Sequence, residues 1–134
     1  MQILFLYIST SLVFLGLDAV MLRFIMRPLF EHHLGTLLLA DLRLGPVTIF
    51  YLGYVAGVVW LVSFPALRAG VPTQALVAGA VLGALAYGTY EFTNYATLTA
   101  WAPTMVAADL TWGTMLTGFS AWAGVALTSA MLSA

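Results

Sequence analysis

Residues 73–98 read TQALVAGAVLGALAYGTYEFTNYATL, and the only charge in that run is Glu91. A helix needs about 20 apolar residues to cross the ~30 Å hydrocarbon core of a bilayer, and this run supplies them. It shows no alternation of apolar and polar residues, so it does not read as a strand of a lipid-facing barrel. Ala75, Gly79, Gly83, Tyr87 and Glu91 recur every four residues and share one helix face. Small residues at that spacing let membrane helices approach closely. The stripe ends in a carboxylate, so Glu91 is expected to point at another helix.

Three further runs have the same character: 3–22 with Asp18 as its charge, 46–66 with none, and 103–132 with Asp109. The fold class expected is all-α integral membrane, a four-helix transmembrane bundle forming one domain over 1–134. The first run lacks a basic start and a small-residue cleavage site, so it is expected to be retained and not removed as a signal peptide. Across all 134 residues, 63% are hydrophobic and 7% are charged. A water-soluble domain carries about 25% charge, which excludes that class. With no Lys and a net charge of -1, the chain has no basic patch for nucleic acid. With no Cys it has neither disulfides nor thiolate metal sites.

The second and third connections are tight: Arg68-Ala-Gly-Val-Pro72 and Thr99-Ala-Trp-Ala-Pro103. Short loops make antiparallel neighbours. The first connection is longer and carries Arg23, Arg27, Glu31, His32, His33, Asp41 and Arg43 among Leu29, Phe30, Leu34, Leu37 and Leu38. It reads as an extension of the first helix to Arg27, then an amphipathic interfacial segment at 28–44. Three of the four arginines lie in this loop. The positive-inside rule then puts loops 1 and 3 in the cytoplasm and both termini in the periplasm.

That connectivity gathers the intramembrane acids. Asp18 lies near the end of the first helix, Glu91 near the end of the third and Asp109 near the start of the fourth. At 1.5 Å per residue each is within roughly 10 Å of its helix end, and all three ends are on one side. Ionisable groups inside a membrane are costly and mark interiors or wet cavities. Three clustered carboxylates cannot all be ionised cheaply, so at least one is expected to hold its proton at neutral pH. Tyr51, Tyr54, Tyr87, Tyr90, Asn94 and Trp112 fall in the same layer, and Arg23 is placed to fold back toward it. These are the candidate ligand-binding or proton-exchanging residues. Ala75, Gly79, Gly83, Gly113 and Thr117 are read as packing positions. Tyr7, Trp60, Trp101 and Trp122 read as interface anchors.

Adjacent His32 and His33 point about 100° apart on a helix and rarely share one ion, so no metal site is expected. No phosphate loop, dinucleotide fingerprint, nucleophile elbow or zinc-protease motif occurs, and no cofactor is implied.

Five segments carry a family resemblance: Leu17-Asp-Ala-Val20, Phe50-Tyr-Leu-Gly-Tyr-Val-Ala-Gly57, Pro65-Ala-Leu-Arg-Ala-Gly70, Tyr87-Gly-Thr-Tyr-Glu-Phe-Thr-Asn-Tyr-Ala-Thr-Leu98 and Asp109-Leu-Thr-Trp-Gly113. In this order and spacing they resemble DUF2177, a family of small bacterial inner-membrane proteins with no established activity. The family pattern has Asp where Glu91 stands, and continues with Trp-Leu-Gly where Met21-Leu-Arg23 stands. The resemblance implies a membrane fold and an inner-membrane location, and leaves the activity open.

Three functions fit these residues. One is binding or transport of a lipid-like or other small amphipathic molecule, with a carboxylate exchanging protons and a homodimer formed along the third or fourth helix stripe. Another is an enzyme isomerising or cyclising an isoprenoid or lipid. Glu91 would donate the proton, Asp109 or Asp18 would be the counter-carboxylate, and Tyr54, Tyr87 and Trp112 would form the aromatic wall. The last is an accessory subunit of a larger membrane complex, in which the acids only tie helices together. The lipid bilayer is a partner in all three.

Overall fold

A computed structural model of the chain describes residues 1–38 and 43–133. It has four long helices: α1 (Gln2–Leu37), α2 (Leu44–Ala69), α3 (Pro72–Thr97) and α4 (Pro103–Ser133). Each is long and apolar enough to cross a membrane, and the protein is an all-α, multi-pass membrane bundle. α4 is the axis. Half of its most apolar window is buried, against 22–28% in the other three helices. α3 packs along one side of it and α1 along another, while α2 closes the bundle with Val55, Val58, Val59, Val62 and Ala66. The remaining apolar surface faces outward, as a lipid solvent requires.

The small-residue stripes on α3 and α4 meet each other inside the chain. A methyl group on Gly79 would come 2.9 Å from the Cα of Gly118, and one on Gly83 would overlap the Gly113 carbonyl and the Thr117 side chain. Ala75 and Thr117 are fully buried in the same seam. Backbones this close gain dispersion over their whole length, which drives association where lipid removes the hydrophobic term. Both stripes, expected at a homodimer contact, pack against each other between α3 and α4 within one chain.

One departure from expectation concerns the first connection. The chain stays helical through Leu34, and the segment expected to lie apart in the interface is the continuation of α1. Residues 39–42 of that segment lie outside the described residues. The reason is how the helix passes Pro28. A proline has no N–H and its ring strikes the carbonyl four residues back. Here a wide turn at Leu22–Met26 ends just before it, and the Arg27 N–H reaches back five residues to the Leu22 carbonyl. α2 passes Pro65 in the same way, with a wide turn at Val59–Ser63 and the Phe64 N–H bonded to the Val59 carbonyl. Such widened turns absorb the ring and are frequent at functional sites. The apolar face of the extension, Leu29, Phe30 and Leu34, packs on Trp101, Met105 and Val106 and so covers the loop between α3 and α4. Gly35 ends the α-helical run with φ +54°, a backbone that favours glycine.

α2 ends in a glycine cap. Gly70 is left-handed, its N–H bonds the Leu67 carbonyl and the Val71 N–H bonds the Ala66 carbonyl, with Pro72 opening α3. The α3–α4 seam makes a prediction. Gly83→Ala is expected to destabilise the bundle by about 1–3 kcal/mol through overpacking. Gly53→Ala, with nothing within 4 Å of the added methyl, is expected to leave it unchanged or slightly firmer. Heated size-exclusion profiles in detergent would show the order, and equal behaviour of the two variants would deny the close approach.

Candidate functional site

On α1, Leu6, Thr10, Phe14 and Asp18 recur every four residues and are all buried, Asp18 at 4% exposure. This face turns to α4, where a methyl on Gly124 would overlap Thr10. The Tyr51 hydroxyl of α2 donates to Asp18 Oδ2 at 2.5 Å, and the Trp112 indole N–H of α4 donates to Oδ1 at 3.1 Å. Hydrogen bonds to a charged acceptor are about twice as strong as neutral ones. One carboxylate thus joins three helices. Below it Phe14 packs edge-on to Tyr51 and Tyr54, and the Tyr54 hydroxyl is 2.9 Å from Thr117 Oγ1.

Glu91 is fully buried. The Trp101 indole N–H donates to its Oε1 at 2.9 Å, while Oε2 has no donor. Trp101 is held edge-to-face between Phe30 of α1 and Tyr90 of α3. The acidic neighbour of Glu91 on α4 is Asp109, close enough for the charge of each to bear on the other. Two neighbouring buried carboxyl groups repel when both are ionised, which favours a proton on one of them.

Asp109 is half-buried and also lines a cavity of ≈ 960 Å³. The cavity is bounded by the outer part of α1, the start of α2 and the end of α3. Asp18, Tyr51, Tyr87 and Tyr90 form its polar and aromatic wall, and Leu22, Met26, Phe30, Leu37, Leu38, Phe50 and Ala86 its apolar one. The wide turn in α1 supplies Leu22, Arg23 and Met26 to this wall. Arg27 also lines it and holds Glu31 at 2.8 Å. Arg23 lies over the Phe24 ring at 5.5 Å. Neither Asp18, Glu91 nor Asp109 has an ion-pair partner among the described residues.

The structure therefore brings Asp18, Tyr51, Tyr87, Tyr90, Asp109 and Arg23 to one cavity, with Trp112 and Glu91 bonded behind it. Two candidates stand apart. Tyr54 is bound to Thr117 one layer deeper, and Asn94 is half-buried one turn beyond Tyr90, outside the cavity wall. The fold-back of Arg23 places it in the wall without an ion pair to the acids. Trp60 is 76% exposed, as an anchor would be. Trp101 is not an anchor but the donor to Glu91. Its signal in the sequence is the tight turn, which brings a residue ten positions after Glu91 back beside it. Tyr7 likewise turns inward, its hydroxyl donating to the Leu52 carbonyl at 2.9 Å. His33 contacts Thr104 at 3.1 Å, and its ring packs edge-on to His32.

Fold and site together define a multi-pass membrane protein with buried acids beside an apolar, aromatic cavity. The chain belongs to the family described as "Predicted membrane protein (DUF2177)", which matches residues 3–126. No curated protein and no solved structure is significantly similar to it.

The Asp18 linkage sets an order of stabilities. Tyr51→Phe and Trp112→Phe each remove a donor from a buried carboxylate and are expected to cost about 1.5–3 kcal/mol. Tyr7→Phe removes a bond to a neutral carbonyl and is expected to cost about 0.5–1.5 kcal/mol. Denaturant titrations in detergent, followed by circular dichroism, would check the order. Tyr51→Phe matching Tyr7→Phe would argue against an anchoring carboxylate.

Proposed function

We propose that this protein binds or transports a lipid-like or other small amphipathic molecule, seated in the cavity between α1, α2 and α3. The observation that carries the reading is the cavity wall itself: a broad apolar and aromatic surface converging on Asp109, with Arg23 nearer the helix end. Ligand sites combine mostly apolar walls with a few placed polar groups, and a volume of this size suits a small amphiphile. A buried carboxyl pair beside the ligand also gives a route for proton exchange.

The location proposed is the bacterial inner membrane. The arginines of α1 and of the connection to α2 favour the cytoplasm for the cavity side and the periplasm for both termini. A single cysteine introduced at Thr36 in this cysteine-free chain is expected to be labelled from the cytoplasmic side only.

The test of the function is mass spectrometry of small molecules that copurify with the protein. A specific amphiphile is expected with the native chain, and is expected to be lost in Asp109→Asn while Trp60→Phe retains it. A protein partner in place of any small molecule would support the accessory-subunit reading and defeat this one.

A further inference from the structure

We infer that the ligand of this cavity carries a positive charge, and that its cationic group competes with a proton for Asp109. The inference rests on the proposed function and names the chemical class of the molecule bound. The inner wall holds Asp18 from α1, Tyr51 from α2, Tyr87 and Tyr90 from α3, and Asp109 from α4. Behind Asp109 stands Glu91, fully buried, with one carboxylate oxygen lacking a donor. Among the described residues no ion pair joins a basic side chain to any of the three acids. In a low-dielectric layer uncompensated carboxylates are costly, so the missing positive charge comes from outside the chain.

Two carriers fit. A proton satisfies the Asp109–Glu91 pair when the cavity holds no cation. An organic cation on Asp109 replaces it, and the faces of Tyr51, Tyr87 and Tyr90 add the attraction that aromatic rings exert on cations. Asp18 already accepts from Tyr51 and Trp112, so Asp109 is the carboxyl with capacity to receive the ligand.

The charged groups around Asp109 agree with that choice. Asp18, Arg23 and Arg27 face the cavity from α1, Tyr51 from α2, and Tyr87, Tyr90 and Glu91 flank it from α3. The two arginines lie five and nine positions beyond Asp18 toward the end of the helix. Arg27 is engaged by Glu31, and Arg23 is exposed at the level where long basic side chains reach lipid head groups. They leave the inner wall acidic. The exchange balances: cation binding releases the proton from the Asp109–Glu91 pair to water, and the charge of the site is unchanged.

Tetraphenylphosphonium and tetraphenylborate have nearly the same shape and opposite charge, and they make the test direct. Equilibrium binding of each to the purified full chain in non-ionic detergent is measured over a pH series, with proton release followed in weak buffer. The cation is expected to bind and the anion not. Affinity for the cation should rise about tenfold per pH unit where the proton is displaced, with one proton released per cation. Asp109→Asn should abolish binding, and Asp109→Glu should restore part of it. Arg23→Gln, which removes a positive charge from the cavity wall, should tighten cation binding, whereas Trp60→Phe, on the outer surface of α2, should leave it unchanged. Binding of tetraphenylborate that is lost in Arg23→Gln would overturn the inference while leaving amphiphile binding in place. Cation binding that ignores pH would overturn the competition. Failure of both ions while a copurifying molecule persists would defeat the cationic assignment alone. Failure of both with no copurifying molecule would defeat the proposed function as well.

Discussion

The carboxylate of Asp18 is the constraint on which the arrangement turns. It is buried, and an anion in that setting is tolerable only with its acceptor sites filled. Tyr51 fills one oxygen from α2 and Trp112 fills the other from α4. The three helices are therefore fixed in register at the level of the acids. The cavity takes part of its wall from this joint, through Asp18 and Tyr51.

The second constraint is steric. α3 and α4 run so close that their glycines cannot accept a side chain, which makes the pair a stiff unit. α1 and α2 differ, since each passes a proline through a widened turn. In α1 that turn supplies cavity wall and carries the helix on over Trp101, closing the site from the far side. Rigid acids on α4 and α3 thus face a wall built from a locally widened helix.

Much of this was legible in the chain. Hydrophobic runs of bilayer length gave the four helices, and two short loops placed Glu91 and Asp109 at one end. The small-residue spacing on the third and fourth helices marked real seams, but spacing alone does not say which partner fills a seam. The continuity of α1 was hidden because Pro28 and the charged residues after it look like a helix stop. A widened turn leaves no sequence signature that separates it from one. Trp101 was hidden for a related reason: an indole near a helix end suits the bilayer interface equally well. Only the return of the tight loop, covered by Phe30, makes it a donor to Glu91. Asn94 shows the opposite limit, a polar residue on the same helix face as Tyr87 and Tyr90 that lies one turn past the cavity wall.

The central claim is a division of labour among the acids, with Asp18 tied to Tyr51 and Trp112 and Asp109 facing the cavity with Glu91 behind it, where one carboxyl keeps its proton. Infrared difference spectroscopy of the carboxyl C=O stretch at neutral pH tests it most directly. The account predicts one protonated-carboxyl band that persists in Asp18→Asn and disappears or shifts in both Asp109→Asn and Glu91→Gln. A protein with no such band, or with a band removed by Asp18→Asn alone, would contradict it.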